Sequence, residues 1–167
     1  MTKFEQLLDL AEKENIIVKF VDEIPEYRSE ALYVARHGIC MILMANILKS
    51  NTIRMTEVLA EELGHHFTSV GDNIEPKNYF DKVNIDKCEA KALRWACNFL
   101  VPKDELIDEL RKRPSTVDEL ADALSVSKDI LMQSFYYLSL NYDYLHITDN
   151  RYLILSNYPN VYIYNKF

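Results

Sequence analysis

The feature that most constrains this chain is a short stretch in which two adjacent carboxylates are followed by two adjacent imidazoles. Residues 58–67 read Val-Leu-Ala-Glu-Glu-Leu-Gly-His-His-Phe, which as a helix is less than three turns long. Residues four apart on a helix lie on the same face, so Glu61 lies beside His65 and Glu62 beside His66. A face that pairs carboxylates with imidazoles in this way can hold a metal ion.

The same stretch is similar to the zincin helix, His-Glu-x-x-His. In that pattern two histidines bind zinc, and the glutamate takes the proton of the attacking water. Here the run is Glu61-Glu62-Leu63-Gly64-His65, so Glu62 has the position of the base and His65 that of the second ligand. Glu61 stands where the first histidine is expected. Glu-Glu-Leu is also ordinary helix composition, and this stretch alone does not decide between a metal helix and a helix without a site.

A second stretch, residues 86–102, also predicts a helix, which ends at Pro102. Together the two stretches resemble the ImmA/IrrE family of metallopeptidases, in which His-Glu-Leu-Gly-His is followed by Glu-x-x-Ala-Asn-x-Phe-Ala-x-x-Leu-Leu-Met-Pro. The resemblance extends to the order and spacing of segments over most of the chain, and it implies that Glu89 is the third metal ligand. The matching positions are Glu62, Leu63, Gly64 and His65 in the first motif, then Glu89, Ala92, Trp95, Ala96, Phe99, Leu100, Val101 and Pro102 in the second.

Two residues depart from the family pattern. Carboxylate oxygen can bind zinc, so Glu61, His65 and Glu89 with water in the fourth position form a chemically reasonable site. Two anionic ligands would, however, offset the charge of a divalent ion and leave the bound water less acidic than in a His-His-Glu site. They would also shift the donors toward oxygen, which makes Mn²⁺ or another ion a better competitor with Zn²⁺. Leu93 replaces the usual Asn or Asp, which would remove a hydrogen bond that orients a ligand.

Two further side chains are candidates for the site. Residues 68–79 are rich in turn formers and predict a loop between the metal-bearing helices. At its end, Tyr79 could donate a hydrogen bond to a developing oxyanion. His66 is open to three readings: it supports a ligand, is itself an alternative ligand, or packs without a function. Cys88 adjoins Glu89, but neighbours on a helix point about 100° apart, so we expect no cysteine ligand.

Composition limits where the protein acts. A length of 167 residues with 49% hydrophobic content suits one domain, or one domain with a small appendage. A net charge of −7 disfavours unspecific binding to nucleic acid or anionic membranes. The longest apolar run, residues 39–48, is too short to span a bilayer, and no signal peptide is apparent. The three cysteines include no Cys-x-x-Cys pair, and we expect them to be reduced thiols. The expected location is the cytoplasm.

The predicted metallopeptidase domain covers residues 1–113. A first helix capped by Thr2 runs to about Glu14, strands follow at 16–21, 31–36 and 39–44, and His37-Gly38 makes the turn between the last two. The metal helix begins between Thr52 and Met55. In zincin-like folds the sheet lies beside this helix, and an edge strand can pair with an extended substrate.

Residues 114–167 are predicted to form a helical and β-hairpin part that resembles a winged helix. Helices are expected near 116–124 and 128–140, after a helix from Pro102 to Arg113, and a hairpin turns at Asp149-Asn150. The second helix offers few cationic donors beside Asp129, so protein contact is favoured over direct DNA binding. The aromatic tail from Tyr158 is expected to pack on the body or on another chain.

The sequence therefore predicts an α+β, zincin-like metalloprotease domain followed by a helix-turn-helix or winged-helix-like part. In that reading a metal held by Glu61, His65 and Glu89 polarises water and Glu62 takes its proton. The family resemblance implies a substrate, a helix-turn-helix transcriptional repressor of the same phage, mobile element or stress operon. Two alternatives stay open: an inactive homologue that docks the repressor, and a DNA-binding regulator acting through residues 116–155.

Overall fold

The computed structural model describes residues 1–24, 29–68 and 79–166, without the side chains of 79–85. Contacts between residues divide the chain into two compact units, Met1–Ala96 and Cys97–Phe167. The predicted functional division after residue 113 stays a prediction, because contact clustering reports packing and not function. None of the helices in the described ranges has the length and apolar character that a bilayer-spanning segment requires.

The first unit opens with helix α1, Lys3–Lys13, as the sequence predicted. Thr2 caps it in a reciprocal capping box. The Glu5 N–H donates to the Thr2 hydroxyl at 3.2 Å, and the Thr2 N–H donates to the Glu5 carboxylate at 2.7 Å. Leu7 and Ala11, one turn apart, are buried. The helix is therefore set by a local cap at one end and by an apolar stripe that packs inward.

Three strands follow: β1 (Ile16–Val21), β2 (Ala31–Arg36) and β3 (Ile39–Ala45). All three match the predicted segments, and β3 extends one residue further. His37 and Gly38 make the turn between β2 and β3 with positive φ values of 52° and 77°, the backbone of a two-residue hairpin turn. The sheet order is β1-β3-β2, in which β1 runs parallel to β3. The edge strands are therefore β1 and β2.

A short 3-10 helix (Asn46–Ser50) leads into helix α2, Thr52–Thr68, and helix α3 spans Tyr79–Leu100. Helix α2 begins within the predicted window, whereas α3 begins at Tyr79, well before residue 86. The predicted loop at 68–79 falls, over residues 69–78, outside the described part of the chain. Helix α2 contacts α1, β2 and β3, so the segment with the paired carboxylates and imidazoles lies against the first unit's other elements.

The second unit contains helices α4 (Lys103–Arg111), α5 (Val117–Ala123) and α6 (Lys128–Ser139). Thr116 and Ser127 cap α5 and α6 through their hydroxyls. Strands β4 (Tyr144–Thr148), β5 (Arg151–Ile154) and β6 (Tyr162–Asn165) form an antiparallel sheet of order β4-β5-β6. The predicted hairpin is β4-β5. The aromatic tail packs on it as β6, a strand that the sequence did not predict.

Candidate metal and catalytic site

Helices α2 and α3 bring His65 and Glu89 together. The His65 Nε2 lies 3.4 Å from a Glu89 carboxylate oxygen, with the imidazole side chain mostly buried and the carboxylate side chain 63% exposed. Gly64 explains why the helices approach so closely here. A Cβ at Gly64 would lie 2.4 Å from the backbone oxygen of Ala92, one turn after Glu89. The glycine that precedes His65 therefore sets the spacing of the pair.

The distance between these two donor atoms matches that of two ligands on one ion. Donors bound at 2.0–2.2 Å to a tetrahedral zinc ion lie about 3.4 Å apart. His65 and Glu89 therefore fit a metal as a pair. Among residues 1–24, 29–68 and the described side chains of 86–166, however, no group of three or more His, Cys, Asp or Glu side chains is arranged to hold a metal ion. The assignment of Glu61 as a further ligand, beside His65 and Glu89, stays a prediction.

Glu61 lies one turn before His65 on α2, in a half-buried position with other charges nearby. Burial raises the pKa of Glu61, and the positive charge of Arg54 opposes this shift while Glu57 reinforces it. Arg54 itself forms an ion pair with Glu30 at 2.6 Å. Glu57 is buried one turn before Glu61. Arg54 and Glu57 could not be singled out from the sequence, because isolated charges on a helix form no motif.

Glu62, the predicted base, points toward strand β2. Burial raises the pKa of Glu62 to about 7, whereas the nearby His65 and a hydrogen bond from the Tyr33 backbone N–H act in the opposite direction. Tyr33 lies on β2, an edge strand of the sheet. The carboxylate thus lies near His65 and Glu89 and is hydrogen-bonded to an edge strand of the sheet.

His65 and Glu89 share a hydrogen bond that shifts the pKa of both groups. The hydrogen bond to Glu89 raises the pKa of His65, although burial acts against it. The same hydrogen bond is the main cause of the lowered pKa of Glu89. A metal ion bound by both groups would replace this proton as the positive charge that the carboxylate requires.

His66 takes part in a separate network. Its Nδ1 lies 2.8 Å from the Tyr33 hydroxyl, and its Nε2 lies 3.8 Å from the Glu14 carboxylate. The Tyr33 hydroxyl also donates to Cys40 Sγ at 3.4 Å. Both ring nitrogens of His66 therefore face partners that are not the His65–Glu89 pair. Its three predicted roles all stay predictions.

Two other sequence predictions concern α3. The side chain of Tyr79, the proposed oxyanion donor, lies outside the described part of the structure. Cys88 is a free cysteine of intermediate exposure. Tyr33 is the residue that sequence reasoning missed, because 11 tyrosines are present and its partners are distant in the chain. The signal that could have identified Tyr33 is its position on a strand that precedes helix α2.

Comparison with protein families matches residues 23–135 to the Peptidase M78 family, described as the IrrE N-terminal-like domain. The match includes both motif stretches and every residue of the pair, and it confirms the resemblance inferred from the two motifs. No curated protein matches the chain. Because the matched region covers more than half of the 167 residues, the chain belongs to the IrrE N-terminal-like family of M78 peptidases.

Proposed function

We propose that this protein is a metal-dependent endopeptidase that cleaves a transcriptional repressor in the cytoplasm and so relieves repression. The family supports a metallopeptidase-type function. The observation that carries the proposal is the 3.4 Å separation of His65 Nε2 and Glu89 Oε2, which come from two different helices and have the spacing of zinc ligands. Glu62 lies beside this pair, as a proton acceptor must.

In this proposal each acidic or imidazole group has one role. His65 and Glu89 would hold a divalent ion, Zn²⁺ first and Mn²⁺ as competitor, and Glu61 is the candidate further donor. A bound ion would supply positive charge that polarises a carbonyl and makes water more acidic. Glu62 takes the proton of the water whose oxygen adds to the carbonyl carbon, and it gives that proton to the amine nitrogen as the C–N bond breaks. The Tyr33 N–H orients the Glu62 carboxylate.

The substrate strand is proposed to lie along β2. This strand is an edge of the sheet, it contacts α2, and Tyr33 on it touches Glu62. An extended peptide that added to this edge would place its backbone near the proton acceptor. A DNA-binding repressor carries basic surface, and the net charge of −7 favours its approach. The helix-turn-helix or winged-helix-like part is proposed to contact the repressor and not DNA.

A second function is favoured by one observation. No three-donor group is found among the described side chains, and Glu61 replaces the usual first histidine. A homologue that has lost its metal would keep the fold and act by binding the repressor. The two proposals differ in whether the repressor is cut, and in whether the function requires the Glu62 carboxylate.

The test combines metal analysis of the purified protein with incubation of the repressor encoded beside it. The wild type is expected to contain a divalent ion and to cut the repressor, whereas Glu62→Gln retains the ion but does not cut. Glu12→Gln, which replaces an exposed carboxylate on α1 by a carboxamide, is the matched control. This variant is expected to cut the repressor as the wild type does. Metal-free protein that binds the repressor tightly without cutting it would favour the docking function instead.

A further inference from the structure

Strand β2 contacts helix α2 through two different groups of one residue. The Tyr33 backbone N–H donates to the Glu62 carboxylate, and the Tyr33 hydroxyl lies 2.8 Å from His66 Nδ1. Glu62 and His66 are four residues apart on α2, so their side chains lie on the same face of the helix, one turn apart. Tyr33 therefore holds the helix at two points. The two contacts together are called here the Tyr33 clamp.

The pairing of β2 with β3 explains why the Tyr33 N–H faces α2. In an antiparallel pair, residues whose backbone groups bond the neighbouring strand alternate with residues whose backbone groups point away from it. Glu30 is of the first kind, because its carbonyl accepts the Ala45 N–H at 2.8 Å. Leu32, two residues on and opposite Leu43, has the same phase. Tyr33 has the other phase, so its N–H points off the edge of the sheet toward Glu62.

The hydroxyl contact adds a restraint that the backbone contact alone does not supply. A strand that met the helix at a single carboxylate could turn about that point, whereas a second contact one helical turn away prevents this rotation. His66 is itself held, since its Nε2 lies 3.8 Å from the carboxylate of Glu14, the residue that ends α1. The His66 side chain is 20% exposed, so water competes little for its contact with Tyr33.

We propose that Tyr33 and His66 are positioning residues for the proposed reaction: their contact holds β2 against α2, so that the Tyr33 N–H keeps the Glu62 carboxylate in one orientation. The catalytic consequence rests on the proposed peptidase function, whereas the restraint on the strand does not. A general base acts efficiently only when it is aligned with the proton that it takes. Loss of the clamp therefore lowers kcat with little change in KM, because the clamp contacts go to Glu62 and His66 and not to a substrate.

Substitutions of His66 separate the roles of its two ring nitrogens. An Asn side chain places its amide near the position of Nδ1 and can either donate or accept, so His66→Asn retains the contact with Tyr33. A Gln side chain places its amide near the position of Nε2, which faces Glu14, so His66→Gln loses the contact with Tyr33. His146→Gln, at an exposed position on β4, is the matched control.

The first measurement is hydrogen exchange of the residue 33 backbone amide, followed by NMR in the ¹⁵N-labelled, metal-free full chain. Glu62→Ala removes the acceptor and shows how much protection the carboxylate gives. His66→Gln and Tyr33→Phe are expected to speed this exchange about 2- to 12-fold, the factor for one net hydrogen bond. His66→Asn and His146→Gln are expected to exchange as the wild type does. The amide of Leu43, on the strand paired with β2, is the internal reference for a general loss of stability.

The second measurement is kcat and KM for cleavage of the repressor encoded beside the protein, with zinc added. His66→Gln and Tyr33→Phe are expected to lower kcat about 10- to 100-fold, as a displacement of up to about 1 Å does, and to leave KM nearly unchanged. His66→Asn is expected to recover most of the lost kcat. This recovery distinguishes positioning through the Nδ1 contact from a loss of packing, which Asn would not repair.

Three outcomes would overturn the proposal. Exchange at residue 33 that is unchanged in His66→Gln, or that rises by the same factor as exchange at Leu43, would show that the His66 contact does not restrain the Tyr33 N–H. Equal losses in His66→Asn and His66→Gln would show that the ring packs without positioning. Faster exchange with unchanged kcat would show that the orientation of Glu62 does not limit cleavage. A wild type that cuts nothing would instead refute the proposed peptidase function, and the exchange measurement alone would then decide whether the clamp restrains the strand.

Discussion

At the scale of single residues, Glu61 decides what the site can hold. It has the position of a histidine in the family pattern, one turn from His65, yet the described side chains supply only His65 and Glu89 at ligand spacing. A carboxylate has the reach to become a ligand when an ion arrives, but burial that raises its pKa also disfavours the charged form that ligation requires. Affinity for metal is therefore the property most sensitive to this position.

We expect Glu61→His to tighten zinc binding by at least about tenfold, a change comparable with those from altered metal surroundings. An imidazole is a neutral donor that zinc prefers and needs no charge compensation from Arg54. Competition titration with a chromophoric chelator measures the change. Glu12→His adds an imidazole away from the site and controls for adventitious binding. If Glu61→His and Glu61→Ala bind zinc equally, residue 61 is not a donor.

Tyr33 offers a second residue-scale prediction because its backbone and side chain act on different groups. Tyr33→Phe removes the hydroxyl contacts to His66 and Cys40 but keeps the N–H that binds Glu62. We expect a loss of about 1 kcal/mol in the free energy of unfolding, the typical net value of one hydrogen bond. Urea denaturation measures it, with Tyr162→Phe at an exposed position as control. An unchanged stability would mean that the His66 contact contributes nothing.

At the scale of elements, the close approach of α2 and α3 positions His65 beside Glu89. Gly64→Ala would place a Cβ against the Ala92 carbonyl, and backbone cannot give way as a flexible side chain can. We expect a loss of about 1–3 kcal/mol in stability, the usual cost of overpacking, together with weaker zinc binding as His65 and Glu89 separate. Thermal unfolding and zinc titration measure the two effects.

Gly38→Ala is the control that separates the effect of backbone strain from the effect of helix spacing. Gly38 has a φ of 77° and no atom within 4 Å of an added Cβ, so its substitution costs only the strain of a left-handed residue, about 1–2 kcal/mol. Zinc affinity should not change in this variant. If Gly64→Ala loses stability but keeps wild-type zinc affinity, the close approach of the helices does not set the site.

Elements governed by local signals could be predicted from the sequence, and those governed by distant pairing could not. The Thr2 cap, the His37-Gly38 turn and the alternating β4-β5 hairpin all follow from neighbouring residues. The parallel pairing of β1 with β3 and the addition of β6 require partners far along the chain, and β6 has only four residues. The contact of His65 with Glu89 could be predicted only because each residue belongs to a recognisable motif. Tyr33 belongs to no motif, so its contacts could not be predicted.

At the scale of the whole molecule, the family match and the compact units divide the chain differently. The match runs through residue 135, whereas the first unit ends at Ala96. His65, Glu89, Glu62 and strand β2 all belong to the first unit. The family match therefore extends beyond the unit that contains these residues.

This division predicts that stability and metal binding can be changed separately. Leu7 on α1 and Leu131 on α6 are both fully buried, so truncating either to alanine should cost about 2–5 kcal/mol. Because α1 packs on α2, Leu7→Ala is also expected to weaken zinc binding, whereas Leu131→Ala should leave it unchanged under conditions where the protein stays folded. Denaturant unfolding and zinc titration of both variants provide the measurement. An equal loss of zinc affinity in Leu131→Ala would contradict this prediction.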